Sequence, residues 1–262
     1  VRRRQLVELE DLDWCPRAVR DGGTDWLAFL ANTTGVFSAV VPKIRSAMAA
    51  TGTNHVLDLC SGGGGPWLTL RDELARHGPI EVQLSDRFPN VASFRALQAR
   101  SRGGLGFHQQ PIDATDVPSD LTGVRTLFNG FHHFEPDAAV LILSDAVRKR
   151  RAIAIFEGVS HRIIGLVAIP FQVPAMLLLT PFVKPFRWSR MLLTYVLPLI
   201  PFIVVFDGTI SMLRIYLPDE LRALVARVPN ADRFEWDIGT TSLPGVGFGL
   251  THLVGIPRPD AG

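Results

Sequence analysis

One stretch narrows the fold more than any other: HVLDLCSGGGGPWLTL, residues 55–70. Residues 56–60 are apolar and read as a strand, and 67–77 read as a helix. Four consecutive glycines stand between them. Glycine loses more backbone freedom on folding than any other residue. Such a loop is expected where something approaches the main chain so closely that side chains are excluded. The strand is apolar without alternation, as in strands covered on both faces of a parallel sheet.

The same texture continues along the chain. Residues 80–85 read as a strand, 91–100 as a helix, 105–109 as a short strand and 124–131 as a strand. A helix over 136–149 and a strand over 152–156 follow. Strands alternating with helices imply parallel βαβ units and an α/β, doubly wound sheet. Residues 1–50 look helical, with Thr24 or Asp25 as N-cap, and are expected to form a lid. After Arg162 the pattern breaks: 163–182 and 191–206 are almost wholly apolar, with VKPFRWSR between. A helix over 218–228 and strands near 233–238 and 248–256 then restore the α/β texture. The expected organisation is a lid (1–50), a sheet domain (51–158 and 218–262) and an apolar helical insertion after strand five (159–217).

Composition sets few further bounds. With 262 residues, 47% of them hydrophobic, a sizeable core is available. A formal net charge of +2 offers no basic stripe, so nucleic acid is not an expected partner. Two cysteines, Cys15 and Cys60, supply neither a disulfide framework nor metal-ligand spacing, and a cytoplasmic location is expected. The Arg2-Arg3-Arg4 start precedes no apolar run and does not read as a secretory signal.

Dinucleotide loops follow G-x-G-x-x-G, where the third glycine allows close helix packing. Counting from Gly62 or Gly63, that position holds Trp67 or Leu68, which disfavours a nicotinamide cofactor. No Gly-Lys-Ser/Thr follows, so a Walker loop is excluded. The stretch instead resembles the first motif of the class I S-adenosylmethionine-dependent methyltransferases, an acidic residue followed by alternating glycines. Asp58, Gly62 and Gly64 fill that pattern, with Cys60 in place of its first glycine and Ser61 beside it. The resemblance implies a Rossmann-like, seven-stranded methyltransferase sheet and S-adenosylmethionine as cofactor. It places Asp86, with Arg87, at the ribose after strand two, and Asp113 and Ala114 at the adenine, with Asp116 as fallback. The run LFNGFHHFEPDAAV would lie beside the cofactor after strand four, bringing Asn129 to it, and GLTHLVGIPR resembles the last strand.

Ligands of open α/β sheets lie at the carboxyl ends of the strands. That edge carries His132 and His133, one of which is expected to act as base or to orient the acceptor. Glu157, His161 and Arg214 are the candidate acceptor contacts. Asp207, Ser211 and Arg214 share one polar helix face, which either meets the acceptor or, more simply, closes an internal ion pair. A metal site from His132, His133, Glu135 and Asp137 is weaker, because consecutive residues there do not converge, and no metal is expected.

The apolar insertion admits three readings: a cap over the acceptor pocket, an element docked on one leaflet through 163–206, or a spanning hairpin. Cap and docked element both imply a lipophilic small-molecule acceptor, with O-methylation as the default. Docking would place the protein at the inner face of the membrane. The rival is a protein of this fold that binds a ligand or partner without methyl transfer.

Overall fold

The computed structural model describes residues 3–243 and 249–259. An N-terminal arm leads into α1 (Arg17–Thr34) and α2 (Val41–Thr51). Next come β1 (His55–Asp58), α3 (Trp67–Ala75), β2 (Glu81–Leu84), α4 (Val91–Arg100) and β3 (Leu105–Phe107). Then follow β4 (Val124–Phe128), α5 (Pro136–Arg148) and β5 (Ile153–Glu157). The insertion contains α6 (Arg162–Ala168), α7 (Gln172–Leu179), α8 (Trp188–Tyr195) and α9 (Leu199–Arg214). The chain closes with α10 (Pro218–Val225), β6 (Phe234–Ser242) and β7 (Gly249–Pro257). Phe248, expected to open the last strand, and Arg2 lie outside the described residues.

The seven strands form one sheet in the order β3-β2-β1-β4-β5-β7-β6. β1 to β5 run parallel, and β7 runs antiparallel to both of its neighbours. Each face carries its own apolar layer. Phe37, Ile44, Trp67, Leu70, Phe94 and Phe128 pack together on one side. Leu57, Leu127, Ile142, Ile155, Leu221 and Leu253 pack on the other. A third cluster lies apart from the sheet, where Trp26 and Val19 of α1 meet Met176, Ile200 and Ile203 of the insertion. Thus α1 and the insertion form one apolar unit, whereas Val41, Ile44 and Ala47 of α2 belong to the sheet's own covering layer.

Two local expectations fail for physical reasons. Helix α1 starts at Arg17 after Pro16, so Thr24 and Asp25 lie inside it. Gly22 and Gly23 sit mid-helix where α9 crosses. A Cβ on Gly22 would stand 2.3 Å from Ile200 Cδ1. The Asp25 carboxylate does not cap the helix but accepts from Arg190 at 2.6 Å and from Asn90 at 3.0 Å. Strand four ends at Phe128, since Asn129 adopts a left-handed φ of 50° and Phe131–His133 coil into a 3-10 turn. That turn swings the histidines over the sheet edge.

Candidate active site

The chain leaves β1 in one direction and enters β4 in the other, so the crevice at their carboxyl ends is a topological switch point. The glycine turn occupies it. Cys60, Gly62 and Gly64 have φ values of 56°, 54° and 104°. Glycine takes such values freely, whereas a side chain such as that of Cys60 does so at a cost of about 1–2 kcal/mol. Asp58 holds the turn from beneath, accepting from Ser61 Oγ at 2.6 Å and from Thr126 Oγ1 at 2.7 Å. Burial pushes its carboxyl up to about 7 against those hydrogen bonds. Asp86 clasps the turn from β2, its Oδ2 accepting from Gly62 N at 2.7 Å and its Oδ1 from Phe88 N at 2.8 Å.

The glycines divide the work. Gly62 faces α1, with Thr24 Cβ 3.3 Å from where its own Cβ would stand. Gly63 admits α1, since a Cβ there would lie 2.5 Å from the Thr24 carbonyl oxygen. Gly64 is buried under Leu97 of α4, whose Cδ1 fills the place of its side chain. Gly63→Ala should therefore destabilise the protein by about 1–3 kcal/mol, the usual cost of overpacking, read from the urea midpoint. An unchanged midpoint would mean that α1 does not seat on the turn.

The adjacent histidines have different environments. His132 is buried, and its Nδ1 lies 2.7 Å from Glu157 Oε2. Glu157 Oε1 also accepts from the amides of Phe131 at 3.0 Å and His132 at 3.1 Å. These contacts fix the ring and turn Nε2 away from Glu157. Nε2 has no hydrogen-bond partner and lies 3.8 Å from Glu8 Oε1. His133 Nδ1 lies 2.7 Å from Asp11 Oδ1. Burial by itself would lower its pKa, but Glu8, Asp11 and Glu10 outweigh that and raise it from 6.5 to about 10. The three acids favour its protonated form.

The acids around it follow the same logic. Burial would raise Asp11, yet its bonds to His133 and Arg214 bring it to about 2. Burial raises Glu10 to about 7 and Asp207 to about 6. Because the His133 pKa is higher when folded, its pairing stabilises fully below about 6.5 and is lost as pH rises toward about 10. His133→Gln should flatten that decline. The check is thermal midpoints across this window for both proteins, and parallel curves would contradict a protonated His133.

Beside the histidines opens a cavity of about 1050 Å³. Asn129, His132 and His133 after β4, Glu157 at the end of β5 and Gly158 after it form its polar end. Leu27 and Leu30 of α1, Ile169, Ile203 and Val204 of the insertion, and Leu243 form apolar walls. Asn129 Oδ1 accepts from Gly158 N at 2.6 Å and bridges the two strand ends.

Along the strand ends, Gly62, Asp86 and Asn129 share one edge with Cys60, Ser61 and the exposed Arg87 and Asp113. Asp113 Oδ1 accepts from both Thr115 N and Thr115 Oγ1, and Ala114 is buried in the sheet's covering layer. Two candidate acceptor contacts stand elsewhere. His161 is exposed, bonded to Ser160 Oγ and outside the cavity lining, because α6 begins directly after it. Arg214 is buried and points to the N-terminal arm, bonding Asp11 at 2.7 Å and the carbonyls of His132 and His133. Its polar face grips that arm: Asp207 accepts from the amides of Leu9 and Glu10, and Ser211 Oγ donates to Glu8 at 2.9 Å. That face holds the N-terminal arm, and its Asp207 and Ser211 also line the cavity, whereas Arg214 does not.

Sequence reasoning missed Glu8, Glu10 and Asp11. Their only signal is the acid density of ELEDLD at 8–13, far in sequence from any histidine. Among the described residues, Glu8, His132 and His133 place potential ligand atoms within 4.8 Å of one another, and Glu135 and Asp137 do not join them. The Arg214 guanidinium, 3.1 Å from Glu8 Oε1, already supplies the cation there.

No protein-family model matches the chain, and no curated protein does. Solved structures do. An O-methyltransferase family 2 protein from Planctomyces limnophilus, in complex with apigenin, aligns over 94% of this chain and 63% of its own (TM-score 0.55, 11% identity). An O-methyltransferase family protein from Burkholderia thailandensis aligns over 92% and 60% (TM-score 0.53, 15% identity). The plantazolicin methyltransferase BpumL, in complex with SAH, aligns over 92% and 95% (TM-score 0.50, 11% identity). The chain therefore spans about three fifths of the two O-methyltransferase chains and nearly all of BpumL. With its strand order, reversed β7 and glycine turn after β1, the chain has the fold of the class I S-adenosylmethionine-dependent methyltransferases.

Proposed function

We propose that this chain transfers a methyl group from S-adenosylmethionine to the hydroxyl of an apolar small molecule, with His132 as base. The observation that carries this is the His132–Glu157 pair, its Nε2 without a hydrogen-bond partner, at the polar end of a cavity with apolar walls. The edge fits the methyl donor. Each Asp86 oxygen accepts one main-chain amide and keeps a lone pair for a ribose hydroxyl. Gly62 is half-buried, and Asn129 is exposed one strand further on.

When bound, the donor supplies an already activated methyl group, so the protein's task is positioning, desolvation and proton removal. The apolar walls from α1 and the insertion would seat the acceptor and exclude water. His132 Nε2 would take the hydroxyl proton as the oxygen–methyl bond forms and the methyl–sulfur bond breaks. Glu157 would hold the imidazolium that results, as a buried carboxylate does in acid–base pairs.

The test is incubation with methyl-labelled S-adenosylmethionine and a panel of apolar phenols and alcohols. Labelled product should appear together with an equal amount of S-adenosylhomocysteine. Calorimetric binding of S-adenosylhomocysteine without product from any acceptor would favour a ligand-binding protein. Binding of NAD instead would overturn the cofactor assignment.

A further inference from the structure

The insertion has two faces. Its inner face roofs the cavity, where Gly165, Ala168, Ile169 and Gln172 line the space. Its outer face is apolar and open. From Arg162 to Phe182 the chain runs as 21 helical residues, whose most apolar 18-residue window has a mean hydropathy of 2.1 and is only 22% buried. Ile163, Val167, Phe171, Leu178 and Phe182 are exposed along it at multiples of a helical turn. Phe171 is 73% and Leu178 72% exposed. Beside it, Trp188, Leu192 and Tyr195 of α8 and Leu199, Phe202 and Phe206 of α9 are exposed at three- and four-residue steps. Tyr195 Oη donates to the Leu177 carbonyl at 2.5 Å and ties the two stripes together. Contiguous apolar surface of this kind marks a contact with another phase or molecule.

Charge decides which. Residues 158–206 contain no aspartate or glutamate. Of their cations, Arg162 pairs with Glu220, Arg187 with Asp21 at 3.0 Å and Arg190 with Asp25 at 2.6 Å. Lys184 is exposed, and Trp188, four residues on, is 78% exposed. A surface with cationic and no anionic groups complements anionic headgroups. Against a second copy of itself in a two-fold contact, it would set like charges opposite one another. Tryptophan and tyrosine at the edge of an apolar patch suit the headgroup level. A spanning arrangement would have to pull Arg187 and Arg190 away from α1, which itself seats on the glycine turn.

We propose that the outer face of 162–206 docks in the interface of an anionic lipid bilayer. The helices that meet lipid on one side roof the cavity on the other, so an apolar acceptor can pass from leaflet to cavity without crossing water. That delivery role rests on the methyl-transfer reading; the docking does not.

The test is flotation of the full chain, without cofactor, on vesicles of phosphatidylcholine alone and with about 30 mol% phosphatidylglycerol. The wild type should float, more strongly with the anionic lipid, and Trp188 fluorescence should shift to the blue. A triple variant, Phe171→Ser, Leu178→Ser and Trp188→Ser, should lower the floated fraction about tenfold or more, since interfacial binding scales with buried apolar area. Circular dichroism of the variant must match the wild type. Should it not, Lys184→Glu is the second probe and should weaken binding only to the anionic vesicles. A wild type that stays at the bottom in both lipids overturns the proposal. So does a folded variant that floats as well as the wild type. A stable dimer by light scattering that fails to float assigns the face to a second copy and also overturns it.

Discussion

Replacing His132 with glutamine should lower methyl transfer about a hundred- to ten-thousand-fold, the range that a positioned general base supplies. Glutamine is close to histidine in length and can donate to Glu157, but it cannot accept a proton. Affinity for S-adenosylhomocysteine should stay unchanged, because His132 stands over β4 and β5 whereas Gly62 and Asp86 stand over β1 and β2. His133→Gln should leave most of the rate, since the three acids around that position favour a ring already protonated. Steady-state kinetics over a pH series, with calorimetric titration of the product nucleoside, measures all three. A His132→Gln enzyme retaining more than about a tenth of the wild-type rate would remove His132 from the chemistry.

The second large effect concerns stability. Arg214→Met should cost about 3–5 kcal/mol, the penalty for stranding a buried charge. Glu8 is fully buried, and its Oε1 lies 3.1 Å from the Arg214 guanidinium. The same guanidinium binds Asp11 and the two histidine carbonyls, so its loss releases the N-terminal arm together with the turn that carries His132. Methionine preserves the aliphatic packing, which isolates the charge. The double variant with Glu8→Gln should recover a large part of the loss, because no unpaired carboxylate then remains. Urea midpoints of the four proteins close the cycle. A loss below about 1 kcal/mol would place Arg214 with ordinary surface pairs.

The fold and the edge of the sheet were legible because their signals are local. Val56, Leu57 and Leu59 before a run of glycines state a buried strand followed by a bare turn, and Pro66 next to Trp67 starts the helix where expected. Asp86 reaches Gly62 because β2 pairs in register beside β1, a relation that a βαβ unit enforces by itself. Seven strands could be counted for the same reason, though boundaries moved wherever a residue such as Asn129 left the extended region.

What the sequence determined alone is the α/β sheet, the glycine turn at its switch point and the presence of two histidines at its edge. Backbone propensity and hydrophobic periodicity act between near neighbours, and these features need nothing more. Only the tertiary structure decided that His132 belongs to Glu157 and His133 to the acids of the N-terminal arm. It also decided that Gly22, Gly63 and Asp25 serve contacts between α1 and distant elements. The physical reason is that ionisation and close packing depend on which groups meet in space. Residues 8 and 132, or 22 and 200, meet only after the insertion has folded back across the sheet and closed over α1.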